Sequence, residues 1–188
     1  MKLILASASP RRAELLRAAG FPFDVLPADV DETLTADESP ESYVRRLAVA
    51  KGAAVASVAG QRPVLAADTI VTIDGHILGK PTGAADAIRM LRLLSGRTHE
   101  VITGVSLTWE SVPYVDVART AVEFAPLADA ELEWYVASGE GLDKAGSYAI
   151  QGLASRFVTR IDGSYSNVVG LPVALVYSLC TNAGLLVS

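Results

Sequence analysis

The run Ser7-Ala8-Ser9-Pro10-Arg11-Arg12 brings together two hydroxyls, a proline suited to a first helical turn and two guanidiniums. Free backbone N–H groups at a helix start favour an anion, and the planar fork of arginine matches phosphate oxygens. Ser7, Ser9, Arg11 and Arg12 therefore have the parts of a polyphosphate cradle. The same residues also describe an ordinary capped helix with two solvated arginines.

Asp68 interrupts Val64-Leu65-Ala66-Ala67-Asp68-Thr69-Ile70-Val71, the most strand-like run in the chain. A carboxylate among apolar strand residues is costly to bury unpaired, so it should face a cleft, a cation or a metal, or else pair with an arginine or cap a turn. Alternation puts Asp68 and Thr69 on opposite faces, so a single site using both requires the strand to end or bulge there. Lys51 falls within the apolar arc of Val44, Leu47, Ala48 and Val55 on a helical pattern; a lysine there commonly snorkels to solvent. Glu32 belongs to the acidic group Asp29-Val30-Asp31-Glu32, which is either solvated or a second carboxylate for a divalent ion. Lys80 lies in Gly79-Lys80-Pro81, where glycine permits close approach to a ligand or the chain simply turns. Gln151, in Tyr148-Ala149-Ile150-Gln151-Gly152, can donate and accept at once, which suits either a pyrimidine edge or a tied-down loop. His76 and His99 sit on strand patterns as packed or edge residues, and neither has a Ser or Cys partner at a spacing that suggests a nucleophilic triad.

Short elements must position these groups. Helices are expected at about 10–19, 40–59, 83–94, 129–138 and 172–183, with Ser9 and Ser39 as start signals and Gly20 and Ser95-Gly96 as stops. Ala87, Met90, Leu91 and Leu94 form a core stripe. Strands are expected at about 2–6, 22–26, 63–73, 76–79, 98–109, 114–124 and 156–161, with Asp74-Gly75 and Asp162-Gly163 as turns. Interspersed helices and hairpins imply an α/β fold with a mixed sheet.

With no repeat or linker, the 188 residues read as a single domain, 1–188, long enough to split into two lobes around a cleft. A 51% apolar and 20% charged composition is that of a soluble globular chain. No apolar run approaches the roughly 18 residues of a membrane span, and Met1-Lys2 leads straight into a core strand rather than a signal peptide. Net charge −5 argues against a protein that coats nucleic acid, although a small anion needs only a local basic group. The single cysteine, Cys180, cannot form an intrachain disulfide and reads as a buried apolar residue in a cytoplasmic protein. Two histidines and one cysteine make a zinc site an unpromising reading, whereas a hard cation held by carboxylates stays open.

Taken in order, Ser7-Ala8-Ser9-Pro10-Arg11-Arg12, Asp31-Glu32, Lys51, Ala67-Asp68-Thr69, Gly79-Lys80-Pro81, Leu94-Ser95-Gly96-Arg97-Thr98-His99, Asp143-Lys144-Ala145-Gly146 and Ile150-Gln151-Gly152 resemble the Maf family of nucleoside triphosphate pyrophosphatases, historically named septum formation inhibitors. The match runs from Leu3 to Pro172. Each motif is weak alone; the ordered set is specific.

The resemblance implies a mixed twisted sheet with flanking helices, related to the inosine triphosphate pyrophosphatases, a divalent metal (Mg²⁺ or Mn²⁺), a cytoplasmic location and often a homodimer. It implies Asp68 as catalytic proton acceptor, and positions 11, 69 and 151 as those that distinguish substrate branches. Ser-Pro-Arg-Arg, Ala-Asp-Thr and Ile-Gln-Gly are the pattern of the branch acting on dTTP and UTP. The branch acting on 7-methyl-GTP departs before the two arginines, has Ser-Asp-Gln for Ala-Asp-Thr and lacks Ile-Gln-Gly.

The expected reaction is hydrolysis between the α and β phosphates of dTTP or UTP. Arg11, Arg12, Lys51 and Lys80 are expected to bind the substrate with Ser7, Ser9, Thr69 and Gln151. An Asp of ordinary pKa, about 3.9, is a weak base at neutral pH, so Asp68 is expected either to take a proton from water or to ligate the metal with Glu32. Two alternatives remain: a pyrophosphatase for modified nucleotides such as 7-methyl-GTP, and a nucleotide-binding regulator of cell division.

Overall fold

The computed structural model describes residues 1–186. Strand β1 (Leu3–Leu5), helix α1 (Pro10–Ala18), β2 (Phe23–Val25), α2 (Pro40–Ala56) and β3 (Val64–Ile73) come first. Next are β4 (His76–Leu78), α3 (Ala84–Leu94), β5 (Thr98–Trp109), β6 (Val112–Phe124) and α4 (Asp129–Ala137). Two 3₁₀ segments, Ala145–Ser147 and Leu153–Phe157, precede β7 (Val158–Asp162), α5 (Tyr165–Val169) and α6 (Val173–Asn182). The strands form one mixed sheet in the order β2-β1-β3-β5-β6-β7, with β4 paired to β3. This is the α/β architecture that the interspersed patterns imply. No helix among the described residues is long and apolar enough to cross a membrane.

The chain divides into two compact units. The first comprises Met1–Thr69, Thr103–Ala118 and the chain from Gly170; the second comprises Ile70–Ile102 and Arg119–Val169.

In the first unit β1 runs parallel to both neighbours, with Ile4 opposite Asp24 on one side and Val64 on the other. Period-two alternation sorts the side chains. Leu3, Leu5, Leu65, Ala67, Val105 and Leu107 pack with Leu16 of α1 and Val176, Leu179 and Cys180 of α6. Ile4, Ala6, Val64 and Ala66 face the other way, onto Val55 of α2 and Ala59. Each fully buried Leu or Val contributes about 1.5–3 kcal/mol. Cys180 is buried as expected, and burial pushes its thiol up to about 11.

Helix α2 begins as its sequence signals: Ser39 Oγ accepts from the Ser42 amide at 3.2 Å, and Pro40 opens the first turn. It ends at Ala56 rather than near 59, where the Ser57 hydroxyl turns back onto the Ala54 carbonyl at 2.8 Å. The helix lies hard against β5. A Cβ at Gly104 would sit 2.4 Å from the Val44 carbonyl oxygen, so only glycine permits this approach.

In the second unit Asp74 (φ 51) and Gly75 (φ 77) form the expected tight turn between β3 and β4, and Arg97 Nη2 donates to the Asp74 carboxylate at 2.7 Å. Ala87, Met90, Leu91 and Leu94 of α3 are buried, as their spacing requires. His99 is buried at 2% exposure among aromatic rings, edge-on to Phe124 (5.0 Å) and Tyr148 (5.3 Å). His76 is exposed on β4. The short α5 carries no apolar period; it forms because the Ser164 carbonyl takes the amides of Asn167 and Val168.

Candidate active site

Strand β3 runs without interruption through Asp68 and Thr69. Asp68 follows Ala66 onto the α2 face and Thr69 follows Ala67 onto the other. Two clusters result.

The first gathers Glu32, Lys51 and Asp68. The Lys51 ammonium lies 2.6 Å from Asp68 Oδ1 and 2.6 Å from Glu32 Oε1. Lys51 and Asp68 side chains are only 12% and 11% exposed, whereas Glu32 is 54% exposed. Lys51 therefore turns inward to a carboxylate pair instead of snorkelling. Tyr43, two helical turns earlier on α2, donates its hydroxyl to the Glu32 carbonyl at 2.8 Å. Burial raises the Tyr43 pKa, and the charges of Asp68 and Glu32 add to that shift. Arg46 completes the clasp, with Nε and Nη2 both 2.7 Å from the Glu38 carboxylate and Nη2 3.1 Å from the Thr33 carbonyl. This arginine holds the Glu38 carboxyl down at about 2. The loop carrying Glu32 is thus tied to α2 at three points.

The second cluster is built on Arg12. Its Nε donates to the Gly170 carbonyl (2.8 Å), its Nη1 to the Ala67 carbonyl (2.8 Å) and Ser7 Oγ (3.3 Å), and its Nη2 to Thr69 Oγ1 (3.0 Å). That commits four of the five N–H groups of a guanidinium. Burial lowers the Arg12 pKa, and Asp68 opposes that shift. The acceptors lie on both sides of Asp68, so in this structure at most one N–H of the Arg12 fork is left for a phosphate. Thr69 Oγ1 is likewise engaged, meeting Thr103 Oγ1 at 2.9 Å and the Gly170 carbonyl at 3.3 Å.

Ser7 is 7% exposed, and its oxygen accepts from the Ser9 amide at 3.2 Å as well as from Arg12, leaving its own O–H to donate. Ser9 holds the extended conformation of a helix start, but its side chain makes no cap bond. Arg11 is half-buried in the first turn of α1.

Lys80 and Gln151 belong to the second unit. Lys80 is exposed, and its loop is tied down where the Gly79 carbonyl accepts from the Gly146 amide at 3.1 Å. Gln151 is exposed on a turn closed by the Gly152 amide and the Ala149 carbonyl at 3.0 Å, while Ile150 beside it is buried.

Sequence reasoning missed Tyr43, Thr103 and the Gly170 carbonyl. Tyr43 carried a signal, lying eight residues before Lys51 and so on the same helical face. The other two matter only through contacts between segments far apart in the chain.

The Maf-like protein family model matches residues 2–183. A dTTP/UTP pyrophosphatase of Koribacter versatilis is 53% identical over 186 residues, covering 99% of this chain and 96% of the relative. One of Bacillus mycoides is 53% identical over 173 residues, covering 92% and 91%. Among solved structures, the Staphylococcus aureus Ham1 protein covers 97% of this chain and 100% of its own, with TM-score 0.56 at 15% identity. A HAM1 protein from Coxiella burnetii covers 68% and 74%, with TM-score 0.50 at 19% identity. At these identities the two structures speak to the fold alone.

Proposed function

The chain belongs to the Maf family, and on that premise we propose that it is a hydrolase splitting dTTP and UTP into the nucleoside monophosphate and pyrophosphate. The observation that carries the site assignment is the buried carboxylate of Asp68, ionically paired within an apolar strand at 2.6 Å from Lys51. A buried charge is expensive to keep, and removing one partner of such a pair costs about 3–5 kcal/mol. The names of relatives 51–53% identical over nearly their whole length support the reaction.

In this reading Asp68 accepts the proton of the water that attacks the α phosphorus, and Lys51 orients its carboxylate. Arg11, Lys80, the Ser7 and Ser9 hydroxyls and the first amides of α1 bind the phosphates. Phosphoryl transfer depends chiefly on such positioning and charge stabilisation. Arg12 is a brace: it fixes Ser7 and both neighbours of Asp68. Thr69 acts as part of that brace.

Glu32 and Asp68 would hold the divalent ion, Mg²⁺ or Mn²⁺. One oxygen of each already faces a cation, the Lys51 ammonium, so two hard carboxylate donors lie together and a divalent ion there would compete with that ammonium. Among the described residues no group of three His, Cys, Asp or Glu side chains gathers to hold a metal. Two carboxylates fit an ion whose remaining ligands come from substrate phosphate, the ordinary habit of Mg²⁺. When bound, such an ion draws charge from the phosphate oxygens.

Gln151 reads the base. Its amide complements the N3–H and an adjacent carbonyl, a pattern that thymine and uracil share and cytosine lacks at N3. A panel of dTTP, UTP, CTP and 7-methyl-GTP tests the proposal. It expects kcat/KM for dTTP and UTP to exceed that for CTP by tenfold or more. A preference for 7-methyl-GTP, or binding without turnover, would overturn it.

A further inference from the structure

The turn that carries Gln151 is held from both sides by side chains distant in sequence. Before it, the Ala149 amide donates to Tyr135 Oη at 3.1 Å, and the Tyr148 hydroxyl meets His99 Nε2 at 2.8 Å. After it, Glu140 supplies both carboxylate oxygens: Oε1 accepts from the Leu153 amide at 2.8 Å and Oε2 from the Ala154 amide at 3.4 Å. These are the first amides of the 3₁₀ helix Leu153–Phe157, donors that a helix start leaves without an internal partner. No side chain at Gly152 caps that helix. The cap comes instead from Glu140, just beyond α4.

Gly152 is what admits it. A Cβ at this position would lie 1.6 Å from Glu140 Oε1. The carboxylate therefore occupies the volume that a side chain at 152 would fill, directly beside Gln151. A polar side chain that selects among bases discriminates only as well as its backbone is fixed, because each free dihedral must be ordered on binding.

We propose that Glu140 is a positioning residue for base selectivity: it anchors the Ala149–Gly152 turn so that the exposed Gln151 amide is presented in one orientation. The inference rests on the reading that Gln151 recognises the base.

The test compares wild type with Glu140→Ala, Glu140→Gln, Gln151→Ala and the double variant, measuring kcat and KM for UTP and CTP beside a thermal melt. Glu140→Ala should lower the UTP/CTP ratio of kcat/KM by at least fivefold. The loss should fall on KM for UTP, with kcat/KM for CTP changing less than twofold. Glu140→Gln keeps an acceptor oxygen and should restore most of the ratio. Glu140→Ala should add nothing once Gln151 is Ala. If Gln151→Ala lowers the ratio while folded Glu140→Ala does not, or lowers both substrates equally, the positioning role is overturned and base reading by Gln151 stands. If Gln151→Ala leaves the ratio unchanged, both are overturned. Should Glu140→Ala fail to fold, Glu140→Asp carries the same comparison with a carboxylate one methylene shorter.

Discussion

Lys51 Nζ and Asp68 Oδ1 meet at 2.6 Å, joining the face of α2 to the middle of β3 with both side chains almost out of solvent. Their union reconciles two residues that each resist their surroundings, a lysine on an apolar helical arc and an aspartate in an apolar strand. It depends on α2 lying close enough to the sheet, which Gly104 allows by leaving room for the Val44 carbonyl. Glu32 joins from the side, so the lysine serves two carboxylates.

The two partners should not be equally replaceable. Lys51→Ala strands the Asp68 charge in the interior, at a cost of about 3–5 kcal/mol, which for a chain of this size lowers Tm by about 6–20 °C. Asp68→Asn leaves Lys51 its contact with Glu32 and should lower Tm by less than half as much. Differential scanning calorimetry of the two variants checks the order; equal losses would show that the pair carries no special burden.

Arg11 and Arg12, adjacent in sequence, should behave differently. Arg12→Lys keeps a charge but loses the fork that reaches Gly170, Ala67, Ser7 and Thr69, so it should lower both Tm and kcat. Arg11→Ala and Lys80→Ala should leave Tm within a few degrees of wild type. Each should lower kcat/KM for dTTP about tenfold to over a hundredfold, the worth of a charge-assisted bond of roughly 1.5–3 kcal/mol. A loss of stability in Arg11→Ala with unaltered kinetics would exchange the roles of the two arginines.

His99 should make the protein acid-sensitive. Burial drops its pKa from 6.5 to about 4, so between those values the unfolded chain binds the proton that the folded chain refuses. Stability from this group is fully present above pH 6.5 and declines as pH falls, by up to about 3 kcal/mol near pH 4. His99→Gln, which keeps a donor or acceptor for the Tyr148 hydroxyl, should flatten that decline. Urea midpoints at pH 7 and pH 4.5 for both proteins measure it, and equal declines would remove His99 as the cause.

Much of this arrangement was legible residue by residue, and the rest was hidden in long-range packing. Alternation and turn signals located β3, β4 and β5 almost to the residue, because a period of two and an Asp-Gly turn are local facts. Strand β6 begins earlier than expected because its turn is made by Glu110 and Ser111, both at positive φ without a glycine to mark them. Asp68 and Lys51 each stood out, but nothing local says that they meet. The contacts of Arg12 are hidden for the same reason. A guanidinium beside a helix start is visible in the sequence, but the carbonyls of residues 67 and 170 that it meets are not. Glu140 gave no signal, since its partners are backbone amides thirteen residues or more away.

The products formed from dTTP with Mg²⁺ or Mn²⁺ test the central claim most directly, followed by chromatography for wild type and Asp68→Asn. Wild type should release dTMP and pyrophosphate in equal amounts, while the folded Asp68→Asn protein should release almost none. Accumulation of dTDP and inorganic phosphate, or near-wild-type dTMP release by folded Asp68→Asn, would contradict the account.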